Sequence, residues 1–148
     1  AAADEFTIRV TGRGGHGAAP HQTADPIVAA AQIVTAAQTL VSRRLPPWKS
    51  AVLTFGQIHG GTRHNIIPGE VVLNGTIRTF EEPVRRRIHR ELASLASGVA
   101  RGLGVTADCS VHRGYPPTVN DAGMSDRVRA VAREAGLRVV AQEPSMGA

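Results

Sequence analysis

Phe6, Ile8 and Val10 alternate with Thr7, Arg9 and Thr11 near the start of the chain, the period of two that a half-buried strand requires. The strand runs into the loop GRGGHGAAPHQTA. Asp25 followed by Pro26 then reads as the N-cap and first position of a helix, because proline has no amide hydrogen to leave unsatisfied there. Ile27, Ala30, Ala31, Val34, Ala37, Gln38 and Val41 recur at helical spacing, Arg43 and Arg44 suit the negative end of the dipole, and Pro46 and Pro47 stop the helix. Residues 51–59 and 70–80 are both strand-like. The segment GGTRHNIIPG between them is too long for a tight hairpin, and antiparallel pairing is the economical arrangement.

Pro83, behind Glu81 and Glu82, opens a second helix with the stripe Val84, Ile88, Leu92, Leu95, Val99 and Leu103, and Gly104 closes it. A strand follows in which Val105, Ala107, Cys109 and Val111 share one face, so Cys109 reads as a core filler rather than a nucleophile. The order strand, helix, strand, strand, helix, strand is the split βαβ plan: an α+β, ferredoxin-like sandwich of a four-stranded antiparallel sheet with two helices on one face. From Thr118 the pattern changes. An amphipathic helix over 125–135, a stop at Gly136 and a short strand over 137–141 form a surplus tail, which places a boundary at YPPTVND and divides the chain into 1–117 and 118–148.

At 148 residues and 42% hydrophobic content the chain can bury one real core. It has no apolar run long enough to span a bilayer and no secretory leader pattern, so a membrane role is not expected and a cytoplasmic location is. Cys109 is the single cysteine, which excludes an intrachain disulfide and a cysteine zinc knuckle. A net charge of +5 invites nucleic acid, but aromatics at 3% leave little for bases to stack on. Lys49 is the sole lysine, and the cluster Arg85, Arg86, Arg87 and Arg90 reads as the solvated side of a helix. No nucleic-acid partner is expected.

Gly12, Gly14 and Gly17 satisfy G-x-G-x-x-G after a strand, yet the helix that would hold a pyrophosphate starts only at Asp25-Pro26, so the match is accidental. Neither His16 with His21 nor His59 with His64 has the spacing or the neighbouring carboxylate of a strong metal motif. His59, His89 and His112 read as exposed residues. His16 differs, because glycines on both sides let its backbone approach another surface and leave the imidazole unshielded.

The segments GRGGHGAAPH with DPI after it, VSRR, GGTRHNIIP, LNGTIRTF and EPSMGA, in this order and spacing, resemble the M20 metallopeptidases, and most of all the branch of hippurate, N-acyl-amino-acid and auxin-conjugate hydrolases. The resemblance implies the lid of a two-domain enzyme: a catalytic domain carrying two zinc ions is interrupted by a dimerisation domain of the fold reached above. By the same resemblance, residues of one lid would reach the active site of the partner subunit in a homodimer. His16 would then hydrogen-bond the scissile carbonyl oxygen as it becomes negative, with Asn65 and Arg78 on the substrate carboxylate or neighbouring polar groups, all three acting in trans. A donor aimed at a developing oxyanion is worth about 3 to 4 kcal/mol, and a guanidinium fork matches a carboxylate. The metal ligands and the general base have no counterpart here, so no zinc is expected within this chain, residues 118–148 would begin the catalytic domain's return segment, and the chain alone is catalytically incomplete. A non-enzymatic regulatory module that binds a small molecule is the alternative that the same split βαβ plan leaves open.

Overall fold

The structure, a computed structural model, describes residues 1–147. Its order is β1 (Ala2–Thr11), β2 (Gly15–His16), a single 3-10 turn at Pro20–Gln22, α1 (Pro26–Ser42), β3 (Ala51–Gly60), β4 (Ile66–Ile67), β5 (Glu70–Thr79), α2 (Glu82–Gly102), β6 (Thr106–Arg113) and α3 (Ala122–Glu134). The main sheet runs β3-β5-β1-β6 with every pairing antiparallel. This is the expected α+β ferredoxin-like sandwich.

Each strand of the sheet turns every second residue toward the helices. Phe6, Ile8 and Val10 of β1 and Val71, Leu73 and Ile77 of β5 meet Ala29, Ile33 and Leu40 of α1 and Ile88, Leu92 and Ala96 of α2 in one core. Gly75 interrupts the β5 row. A methyl group there would lie 2.2 Å from the Phe6 ring and 2.2 Å from the Thr54 carbonyl oxygen. Phe6 and Phe55 are the two cross-strand neighbours of Gly75, and their rings meet edge to face with centroids 5.0 Å apart. The missing side chain is what admits both rings.

Asp25 caps α1 as its position predicts, accepting from the Ile27 amide at 2.8 Å. The buried stripe is rotated from the expected one. Ala29, Ala30, Ile33, Ala37 and Leu40 go inward, and Ile27 and Val28 stay about half exposed. In α2 the stripe leaves Leu103 outside and continues instead through Ala96 and Ala100, small residues that let the two helices lie close. Gly104 adopts φ +73° just past the end, the left-handed conformation that closes a helix.

Two expectations for polar residues fail for one reason. Arg85 and His89 are not on the solvated side of α2: both turn to Asp4, which continues the inward parity of β1. Asp4 and Arg85 are 1% and 3% exposed. The carboxylate takes both arms of the guanidinium, with Arg85 Nε donating at 2.8 Å, and also accepts from His89 Nε2 at 2.8 Å and from the Gly114 amide at 3.0 Å. A charge in a protein interior costs several kcal/mol unless it is paired, so this burial requires the full set of partners.

The tail also differs. α3 forms, opened by Asp121 accepting from the Met124 amide, but none of its residues is buried and Met124, Val128 and Val131 are more than half exposed. The strand expected over 137–141 does not form. A strand exists by pairing, and neither edge of the sheet, β3 or β6, takes that segment as a partner.

Candidate functional site

The glycine loop after β1 is fastened on two sides. Gly12 donates to Gly69 at 2.9 Å, while Arg13 and Ala24 exchange both of their backbone hydrogen bonds at 2.9 Å. Arg13 also reaches the Gln22 carbonyl through Nε at 3.0 Å. The backbones come so close that a methyl on Gly12 would lie 2.1 Å from the Ala24 oxygen, and one on Gly14 would lie 2.6 Å from the Ile67 oxygen. Gly12 and Gly14 are needed for this close approach, and of the glycines that flank His16, Gly17 is held the same way, since a methyl there would lie 3.0 Å from the Asn65 carbonyl oxygen.

What the sequence did not reveal is the second, two-stranded sheet. Gly15 pairs with Ile67 and His16 with Ile66, and the ladder is extended by the Gly17 amide donating to the Asn65 carbonyl at 2.8 Å. Two loops from distant parts of the chain are thus zipped together, with His16 and Asn65 side by side at one end of the molecule. Both are exposed.

The imidazole is nevertheless oriented. His16 Nδ1 accepts from the Ala18 amide at 3.1 Å, and the His16 carbonyl accepts from Ala19 at 2.9 Å, so the segment 16–19 curls around its own side chain. His21 sits nearby in sequence but engages Gln22. Among the described residues no group of three or more His, Cys, Asp and Glu side chains is arranged to hold a metal ion.

Arg78 lies elsewhere. The β1–β5 register pairs Thr11 with Glu70 at the loop end and Ala3 with Arg78 at the other. At the usual strand rise Arg78 is roughly 26 Å from Glu70. The structure therefore brings His16 and Asn65 together and separates Arg78 from both. Arg78 is half-buried on the sheet face away from the helices and lines an open cavity with Glu5, Thr76, His112 and Tyr115. This cavity adjoins the place where the chain leaves the sandwich, since the Ala3 amide donates to the Tyr115 carbonyl at 3.2 Å.

A third feature borders the zipped loops. Ile27, Ile66 and Ile67 line one groove with Gly17 and His64. Ile27, Ile58 and Ile66 are 47%, 58% and 43% exposed, and β3, which carries Ile58, is an edge strand. An apolar border beside an unpaired strand edge is a surface suited to covering by protein.

Comparison with known proteins gives one answer. Over 145 residues the chain is 39% identical to the N-acetyl-L-cysteine deacetylase of Bacillus subtilis, covering 98% of this chain and 35% of that protein. It is 43% identical over 138 residues to the N-acyl-L-amino acid amidohydrolase of Geobacillus stearothermophilus, covering 90% and 37%. Its fold superposes with a TM-score of 0.75 and 27% identity on a dinuclear metal binding peptidase from the M20 family of Bacillus subtilis, over 97% of this chain and 35% of that one. The chain spans little more than a third of the length of these relatives. Residues 3–102 match the family described as the peptidase dimerisation domain, and the chain belongs to that family, within the M20 peptidases and amidohydrolases.

Proposed function

We propose that this chain is the lid and dimerisation domain of a dinuclear zinc amidohydrolase that cleaves N-acyl amino acids or similar amides in the cytoplasm. The observation that carries the reading is the zipping of His16 and Asn65 at an exposed apolar border. Two copies that joined their β3 edges and α1 faces would cover Ile27, Ile58 and Ile66 and project His16 and Asn65 toward the partner subunit.

Among the described residues no ligand cluster for zinc is arranged, and in this reading the catalytic domain would hold the metals. This chain's contribution is to the substrate. Amide cleavage builds negative charge on the carbonyl oxygen, and the exposed, oriented imidazole of His16 is placed to meet it. Asn65 supplies an amide that both donates and accepts next to that oxygen.

Arg78 takes a different place in this scheme from the one its motif suggests. Within one protomer the strand register puts Arg78 at the far end of β5 from the loops that carry His16, which favours drawing the two residues from different subunits. A site built from both protomers resolves this: His16 and Asn65 come from the partner, and Arg78, beside Tyr115, faces the rest of its own chain and pairs with the substrate carboxylate.

Mixing full-length His16→Ala and Arg78→Ala subunits tests the scheme. Each variant alone loses kcat, by about a hundredfold for His16→Ala with a smaller change in KM. A hybrid dimer has one site with both residues intact, so a randomised equal mixture recovers about a quarter of wild-type activity. No recovery would mean that both residues act from the same protomer, and an unchanged kcat in His16→Ala would remove the oxyanion role.

A further inference from the structure

The bond from the Ala18 amide to His16 Nδ1 fixes more than the direction of the ring. A neutral imidazole carries one proton, and a nitrogen that accepts a hydrogen bond cannot also hold it. With the Ala18 N–H pointing at Nδ1 across 3.1 Å, the proton belongs on Nε2. We propose that the Ala18 backbone amide is a positioning group that commits His16 to the Nε2–H tautomer, making it a hydrogen-bond donor and excluding it as a general base or a metal ligand.

Three observations around the ring support this assignment. The Ala19 amide holds the His16 carbonyl and the Gly17 amide holds the Asn65 carbonyl, so the backbone on both sides of the Ala18 amide is tied down. Pairing with Ile66 fixes the His16 backbone itself. Among the described residues no carboxylate accepts a hydrogen bond from the imidazole, and its one hydrogen-bond partner there is the Ala18 backbone amide. The contrast is His89, whose Nε2 donates to the Asp4 carboxylate. A base needs a lone pair facing its substrate, and so does a zinc ligand; the exposed nitrogen of His16 presents a hydrogen in that direction.

The consequence deepens the function proposed above and rests on it only where catalysis is concerned. A donor with one fixed nitrogen stabilises an oxygen that gains charge, and it cannot take a proton from the attacking water. The proton transfers of the reaction must therefore be assigned to groups other than His16. The short sequence His-Gly-Ala-Ala supplies the device with no further side chain, since a backbone amide is the locking group.

Nitrogen-15 spectroscopy of the histidine rings in this 148-residue chain, near pH 8, reads the tautomer directly. The expected result for His16 is a pyridine-like Nδ1 and a pyrrole-like Nε2, unchanged when zinc is added. In Ala18→Pro, which lacks the amide hydrogen, the pattern should move to a mixture while the main-sheet amide signals stay in place. A tautomer mixture in the wild type, or an Ala18→Pro spectrum identical to it, would overturn the assignment.

A second pair of variants keeps the question open to refutation if proline disrupts the loop. In the full-length enzyme His16→Gln places an amide nitrogen near the Nε2 position, whereas His16→Asn reaches only as far as Nδ1. The first should stay within about tenfold of wild-type kcat, and the second should fall about a hundredfold, as far as His16→Ala. Equal losses in both would overturn the donor assignment. An unaltered kcat in all three, with the tautomer pattern as expected, would leave the lock standing and remove the catalytic reading instead.

Discussion

Asp4 receives both arms of the Arg85 guanidinium inside the sandwich, and this pair joins the start of β1 to the first turn of α2. The same carboxylate holds the Gly114 amide, and Arg85 Nη2 donates to the Gly114 carbonyl at 3.0 Å. The entry and the exit of the sandwich are therefore bound to one buried charge pair. Removing the Asp4 charge leaves the buried Arg85 guanidinium with the Gly114 carbonyl and a longer, 3.4 Å contact to the half-exposed Glu82 carboxylate. Asp4→Asn should lower unfolding free energy by about 3 to 5 kcal/mol, measured by urea denaturation with an unchanged slope. A loss no larger than an exposed pair gives, under about 1 kcal/mol, would show that the cluster is solvated.

The pH dependence has a definite sign. Burial pushes the Asp4 carboxyl up, but hydrogen bonds from Arg85, Gly114 and His89 outweigh it and hold the group below its ordinary value. A carboxyl whose folded value is depressed contributes stability that is complete above its unfolded value, near about 4, and drains away as pH falls through the folded value. Wild-type stability should therefore decline on acidification below about pH 4, and Asp4→Asn should show a shallower decline. Parallel curves would mean that other carboxylates carry the acid sensitivity.

Burial pushes the Cys109 thiol up to about 11, so at pH 8 the reactive thiolate is scarce. Its side chain packs against the core from β6. Labelling by a disulfide reagent should be slower in the native chain than in urea-unfolded chain by about a hundredfold or more. Rapid native labelling would contradict the packing of that strand.

The fold was legible because its elements are long and periodic: β1, β5 and α2 each repeat their pattern often enough to fix which side is inward. The buried charge pair was missed, with Arg85 read as solvated, although counting back by twos from Phe6 puts Asp4 on the inner face, where a carboxylate needs a cation beside it. The two-residue ladder of Gly15 and His16 with Ile67 and Ile66 left no such trace. A period needs more than two residues to show, and its partners are brought together only by the assembled sheet. The same limit applies to Arg78: LNGTIRTF places the residue on a strand, but only the register with Ala3 reveals which end of the sheet it occupies. For the tail the apolar period of α3 was readable, whereas the strand after it required a sheet edge that does not receive it.

Gly75 offers a test of the sandwich that leaves the zipped loops untouched. An added methyl would sit 2.2 Å from a backbone oxygen of β3 as well as from the Phe6 ring, and a carbonyl cannot rotate aside as a side-chain end can. Gly75→Ala should therefore part β3 from β5 locally and cost about 1 to 3 kcal/mol, the range for overpacking. Phe6→Leu should recover part of that loss by freeing space beside the glycine, and the double variant should fall short of wild type because the Thr54 carbonyl still opposes the methyl. Thermal or urea unfolding of the three proteins as a cycle isolates the coupling. Simple additivity would show that Phe6 does not occupy the space over Gly75, and with it the edge-to-face packing of Phe6 on Phe55 would lose its structural reason.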